Sequence, residues 1–331
     1  MRWLPGMLLV LLGCSNDRGA SKPMPALGGS PDSTLAREPI EPLPRVSDVK
    51  PELARLGRRL FEDKRLSSDN TLACASCHDI KRGGVDGLAR SVGVRGKRGV
   101  VNAPTVLNSS LNFAQFWDGR AATLEDQAGE PIANPLEMAS DFPTVLKKLG
   151  QDAAYVRDFK LLFGDGLTEP NVRSAIAGYE RTLITPGSPF DRWLEGDKAA
   201  LGEDATAGYL LFKSVGCVAC HQGRNVGGNM FQRFGVFGNY FKDRGNVGDA
   251  DYGRFNVTRN ESDRFVFRVP SLRNVARTAP YLHDGSKQTL PEVVQVMAKY
   301  QLGRSLDETQ VTSIVAFLSS LSGPDPAEVG R

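Results

Sequence analysis

Two short runs constrain this 331-residue chain more than anything else in it: Cys74-Ala75-Ser76-Cys77-His78 and Cys217-Val218-Ala219-Cys220-His221. Each is a C-x-x-C-H, the attachment signature of a c-type haem. Thiols three positions apart can each form a thioether to one haem vinyl group. The histidine that follows is then placed beneath the iron as its proximal ligand. Two C-x-x-C pairs could instead hold one zinc through four thiolates, or work as redox dithiols. The histidine after each pair decides for haem, because the chain has only three histidines and the motifs use two of them. A haem replaces much of a protein core, so short helices and loops wrap around it. The 35 glycines and 20 prolines agree with such a loop-rich fold.

The length suffices for two ordinary domains. A net charge of +3, with no basic run, excludes a nucleic-acid partner. At the N-terminus Arg2 precedes an apolar stretch, Leu4 to Leu12, too short to span a bilayer. Leu11-Leu12-Gly13-Cys14 resembles a bacterial lipobox, so residues 1–13 read as a signal peptide and Cys14 as the lipidated residue. That uses the fifth cysteine and leaves no thiol for a disulfide. It also places the protein on the periplasmic side of a bacterial membrane, held there only by lipid, which suits c-type haem attachment outside the cytoplasm. Residues 14–45, rich in Pro, Gly, Ser and Asp, read as a flexible linker.

Order is expected to begin near Asp48. Leu53, Leu56, Leu60 and Phe61 share one helical face after Pro51, just ahead of the first haem motif. Residues 203–215 repeat the plan, with Ala207, Leu210, Leu211 and Val215 as the apolar stripe leading into Cys217. Helix followed by C-x-x-C-H thus occurs twice, about 143 residues apart. Further helices are expected at 142–149, 169–183, 290–299 and 307–321, the last capped by Asp307. The fold class is mainly α: an N-terminal cytochrome c-like domain over 46–195 and a C-terminal one over 196–331, each with one covalent haem.

Between and after the haem motifs lie Asn102-Ala103-Pro104-Thr105-Val106-Leu107-Asn108, Phe116-Trp117-Asp118-Gly119-Arg120-Ala121, Leu124-Glu125-Asp126-Gln127-Ala128, Pro131-Ile132-Ala133-Asn134-Pro135-Leu136-Glu137-Met138 and Thr278-Ala279-Pro280-Tyr281-Leu282-His283-Asp284-Gly285. In this order they resemble the bacterial dihaem cytochrome c peroxidase family, which includes the enzymes that mature methylamine dehydrogenase. The resemblance covers roughly residues 50–322. It implies that the haem on His78 is the peroxidatic site, with Glu137 as distal acid–base residue and Gln127 as a second polar group there. Trp117 would lie between the haems on the electron path. Asn102, with the carbonyls of Thr278 and Pro280, would hold a calcium ion between the domains. Met297 would be the second ligand of the high-potential haem on His221. Tyr300 is the competing ligand, because maturation-type members use tyrosine, while His283 would be structural. The implied substrate is hydrogen peroxide, the donor a small cytochrome c or cupredoxin, and a homodimer is compatible with the family.

One departure matters. Many members carry a histidine in the loop after the first motif, which caps the N-terminal iron until the other haem is reduced. Here Val94, in Ser91-Val92-Gly93-Val94-Arg95-Gly96, stands in its place. Valine cannot bind iron, so the N-terminal haem is expected to lack a protein sixth ligand and to need no reductive activation. The alternatives are a maturation-type oxidase acting on a protein side chain, and a dihaem electron carrier or sensor.

Overall fold

Proline-started and polar-capped helices dominate the chain from residue 51 onward. The computed structural model describes residues 38–326. The expected signal peptide, Cys14 and the linker up to residue 37 lie outside the described residues. No helix among the described residues is long and apolar enough to cross a membrane.

The first core is built by α1 (Pro51–Phe61), the one-turn α2 (Cys74–Cys77), α3 (Leu124–Ala133), α4 (Phe142–Leu149), α5 (Ala153–Phe163) and α6 (Glu169–Glu180). Pro51 occupies the first turn of α1, where its missing N–H does no harm. Thr123 and Asp126 form a reciprocal capping box on α3, and Asp141 accepts from the Thr144 N–H at 2.7 Å to start α4. Leu60, Phe61, Val145, Phe159, Val172 and Ile176 are among the side chains this core buries. α6 stops at Glu180, one turn short of the expected 183.

The second core gathers α7 (Pro189–Leu194), α8 (Glu203–Val215), α11 (Leu290–Leu302) and α12 (Glu308–Ser320). Phe190, Tyr209, Phe212 and Phe317 interlock there with ring centroids 4.8–5.0 Å apart. Phe190 and Leu194 join this core, ahead of the expected junction at residue 195. Asp307 caps α12 as expected, its Oδ1 accepting from the Gln310 N–H at 2.8 Å.

Two expectations are corrected. Gly208, Tyr209 and Phe212 are the buried residues of α8; of the expected stripe Leu211 and Val215 pack partly against the second core, whereas Leu210 is 57% exposed. The reason is a close helix crossing: a Cβ at Gly208 would overlap the Ser313 carbonyl of α12, so the face turns toward the glycine. The first core repeats this device, with Gly57 of α1 set against the Ala175 carbonyl of α6. The second correction concerns the linker, which ends earlier than 45. Residues 38–45 pack on the second core, with Ile40 and Leu43 buried. Glu38 accepts hydrogen bonds from Tyr209 and Lys213, and the Glu41 carbonyl accepts from Arg273 at 2.8 Å.

A third cluster, Tyr240, Phe241, Phe267 and Tyr300, packs beside the second core. It draws on the short helix α9 (Tyr240–Arg244) and on a two-stranded antiparallel sheet, β1 (Phe231–Arg233) with β2 (Val266–Arg268), while a further short helix, α10 (Phe255–Thr258), lies outside it. Three-residue strands carry too little alternation to be read from sequence.

Candidate active site

The first haem motif is shaped by α2. Its single turn presents Cys74 and Cys77, and His78 follows as the C-cap, its N–H bonded to the Cys74 carbonyl at 3.0 Å. His78 Nδ1 lies 3.1 Å from the Gly84 carbonyl. That contact takes the Nδ1 proton and leaves Nε2 with a lone pair for a metal. Gly84 has φ +74°, and a Cβ there would press on the Thr105 hydroxyl, so the acceptor loop needs glycine. Burial lowers the His78 pKa and so favours neutral imidazole, the form that ligates iron. Burial raises Cys74 and pushes Cys77 up to about 11, so both unpaired side chains are held as neutral thiols.

The second motif repeats the geometry. The His221 N–H bonds the Cys217 carbonyl at 3.1 Å, and Nδ1 lies 3.3 Å from the Val226 carbonyl. Burial brings the His221 pKa down to about 4 and raises Cys217 to about 11. Both donor sets therefore fit a c-type haem: paired thiols, then a neutral imidazole held at Nδ1.

What surrounds the two motifs differs. His221 and Cys220 line a cavity whose other walls include Met297 from α11, Trp117 and Phe267. Tyr300 is not among its lining residues. Its hydroxyl donates to Asp243 at 3.0 Å, and its ring packs edge-on against Tyr240. Asn102, Thr278 and Pro280, the expected calcium ligands, are among the residues that border the same cavity. The Asn102 Nδ2 donates to the Leu88 carbonyl at 2.9 Å, so Oδ1 is the side-chain atom that would serve as a ligand. Three neutral oxygens form a hard but weak set that would need waters to complete a calcium shell.

Glu137 lies near the first motif. Its charge acts on both Cys74 and Cys77. Burial raises its pKa, while a hydrogen bond from Asn134 Nδ2 (2.7 Å) and the nearby Arg120 cation oppose the rise. Val94 is 2% exposed and its N–H donates to the Glu137 carbonyl at 2.8 Å. The loop carrying Val94 is thus laid against the Glu137 segment, and a Cβ at Gly93 would overlap the Leu136 carbonyl. Gln127 is half-buried on α3, and its amide makes no side-chain hydrogen bond among the described residues. Trp117 donates from Nε1 to the Asn102 carbonyl at 2.9 Å and stands edge-on to His283, with centroids 6.4 Å apart.

Sequence reasoning missed several supporting residues. Arg120 lies 3.5 Å over the Phe116 ring and pairs with Asp118 at 3.1 Å and Glu130 at 2.6 Å. Asn134 holds Glu137, and its spacing to Glu137 was a legible signal. Buried His283 bonds Asp251 at 2.6 Å, and Arg244 bridges Asp251 and Asp284 at 2.6 and 2.7 Å. Burial would raise the Asp251 pKa, but His283 and Arg244 hold it well below the carboxylate range. Asp251, His283 and Asp284 could converge on a metal, but Arg244 already supplies the cation.

A sequence profile described as di-haem cytochrome c peroxidase matches residues 51–199. The chain is 47% identical to a cytochrome c551 peroxidase of Nitrosomonas europaea, over 91% of this chain and 89% of that protein. It is 43% identical to the cytochrome c551 peroxidase of Pseudomonas aeruginosa (85% and 82% covered) and 34% identical to the methylamine utilization protein MauG of Methylorubrum extorquens (87% and 83% covered). Among solved structures it is similar to a MauG-like protein associated with microbial copper homeostasis, with 29% identity, a TM-score of 0.74, and 86% and 93% of the two chains covered.

Proposed function

This chain belongs to the di-haem cytochrome c peroxidase family, and on that footing we propose that it reduces hydrogen peroxide to water beside its first haem motif, with electrons entering through the second. The observation that carries the reading is an asymmetry. Two motifs with matching local geometry have different surroundings: Met297 shares the cavity of His221, whereas Glu137 and a buried valine accompany Cys74–His78.

The haems, when bound, supply the electrons and the iron that takes peroxide. The residues supply the rest. Reduction consumes one peroxide, two electrons and two protons and yields two waters. Glu137 accepts the proton of one peroxide oxygen and returns it to the other, so that the departing oxygen leaves as water. Asn134 fixes one carboxylate oxygen, which leaves the other for this transfer. Gln127 is assigned to the same pocket as a second polar group. Trp117, bonded to the Asn102 carbonyl, lines the route between the halves. Met297 with His221 would give the electron-entry haem a high potential. A small cytochrome c or cupredoxin fits as donor. Covalent attachment at Cys74, Cys77, Cys217 and Cys220, calcium at Asn102, Thr278 and Pro280, a lipid at Cys14, a periplasmic location and a homodimer complete the proposal.

Val94 offers no ligand atom, so the oxidised enzyme should turn over peroxide at once. Steady-state peroxide reduction is to be measured with and without prior half-reduction. Equal initial rates, and a high-spin signal from the first haem of the oxidised protein, are expected. A lag abolished by half-reduction, or a low-spin bis-histidine signal, would reject the inference. Val94 also favours a second reading, oxidation of a protein side chain. Tyr300 bonded to Asp243 and Met297 in the cavity favour the first.

A further inference from the structure

Glu180 is a buried acid that the reaction described above leaves unused. It ends α6, is 4% exposed, and its Oε2 is buried without a hydrogen-bond partner. An ionised carboxylate in that position would be disfavoured, because no donor among the described residues compensates the lost hydration of Oε2. Burial accordingly pushes its pKa up to about 8, with Arg181 lowering and Glu125 raising it. Those two charges pair with each other at 2.8 Å, so their fields largely cancel at Glu180. The facing helix α1 brings Arg58 and Glu62, which act on the adjacent Tyr179. α2 brings Cys74. After burial itself, Glu180 is the strongest influence on the Cys74 thiol, ahead of Cys77 in the same motif. The Cys74 sulfur is the atom assigned to carry the first haem. Cys74 packs against the first core, to which Tyr179 and Leu183 on either side of Glu180 also belong, so a buried acid there responds to a change of charge on that haem, since low polarity strengthens the interaction.

We propose that Glu180 is a redox-linked proton site of the haem on Cys74–His78, holding a proton when that haem is reduced and releasing it to solvent when the haem gives up an electron. The step balances: one electron leaves the iron for the acceptor, one proton leaves the carboxyl, and the net charge of the buried region does not change. The proposal rests on the assigned haem attachment but not on peroxide turnover.

Spectroelectrochemical titration of the dihaem holoprotein at pH values on either side of about 8 tests it. The midpoint potential of the first haem should fall as pH rises, by up to about 59 mV for each tenfold drop in proton concentration in a one-electron couple. In Glu180→Gln that slope should vanish, and in Glu137→Gln it should persist. A wild-type potential independent of pH, or a slope that survives in Glu180→Gln, overturns the proposal. Redox difference infrared spectra of the wild type need no variant. A protonated-carboxyl C=O band lost on oxidation is expected, and its absence also overturns the proposal. Counting haems per chain in the same sample separates a failure here from a failure of the attachment.

Discussion

At the scale of single residues, the chemistry turns on how a carboxyl group is kept ready. Burial disfavours the ionised form of Glu137, the form that accepts a proton, while Asn134 and Arg120 oppose that tendency. Glu137→Gln should lower peroxide turnover about 10²–10⁴-fold with both haems retained. Asn134→Asp is a finer probe. It keeps the Oδ1 that accepts from the Leu136 N–H and replaces the amide donor with a like charge. Glu137 then holds its proton to higher pH. Because the ionised form does the work, activity is lost as pH falls through the Glu137 pKa, and the variant's acid limb should move upward. At a fixed pH on that limb, the variant's rate should be lower by about tenfold for every pH unit the limb has moved. Rates measured across the pH range check this, and an unchanged limb would show that Asn134 does not set the Glu137 proton. Much of this site was legible in the sequence. The C-x-x-C-H runs announce thioethers and imidazoles by spacing alone. The hold on each Nδ1 was not legible, because Gly84 and Val226 contribute backbone carbonyls, which any residue has.

At the scale of elements, helix positions followed from local chemistry and helix faces did not always. Residues 51–61, 142–149 and 203–215 are helical as expected, because proline starts, polar caps and apolar spacing act within one turn. The α8 face was misread in part, at Leu210, because periodicity weighs side chains, whereas here the absence of one at Gly208 decides which way the helix turns. The arm at 38–45 escaped for another reason. Its partner Arg273 lies more than two hundred residues away, and no local pattern encodes such a contact. Asp191 ties these parts together. It completes the capping box of α7 by accepting from the N–H of the N-cap Ser188, accepts from the Leu43 N–H at 3.3 Å and pairs with fully buried Arg273 at 2.7 Å. Asp191→Ala would strand that guanidinium, and a loss of about 3–5 kcal/mol in chemical denaturation of the holoprotein is expected. A change below about 1 kcal/mol would place the pair among the inconsequential ones.

At the scale of the whole molecule, two cores repeat one plan: a helix, a haem motif, and a later helix crossing the first at a glycine. Gly57 with α6 and Gly208 with α12 are the two crossings. The repeat was visible in sequence as motif spacing, but its closing helices were not assigned to their partners, since the halves differ in everything between. Trp117 belongs to the join. It comes from the first half of the chain and lines the cavity of the second motif. Trp117→Phe removes the Nε1 bond to the Asn102 carbonyl and keeps an aromatic ring. Rapid mixing of half-reduced enzyme with peroxide should then show slower oxidation of the second haem, with the peroxide-dependent change at the first haem unaltered. Equal rates would remove the indole from the electron path. The arm, finally, has a consequence for the order in which the exported chain folds. Residues 56–183 furnish every buried member of the first core and can assemble as soon as they have emerged from the export machinery. Ile40 precedes them in the chain yet belongs with Phe212 and Phe317. The first described segment to emerge is therefore among the last to be covered, and it must wait with its apolar side chains bare until nearly the whole chain has followed it out.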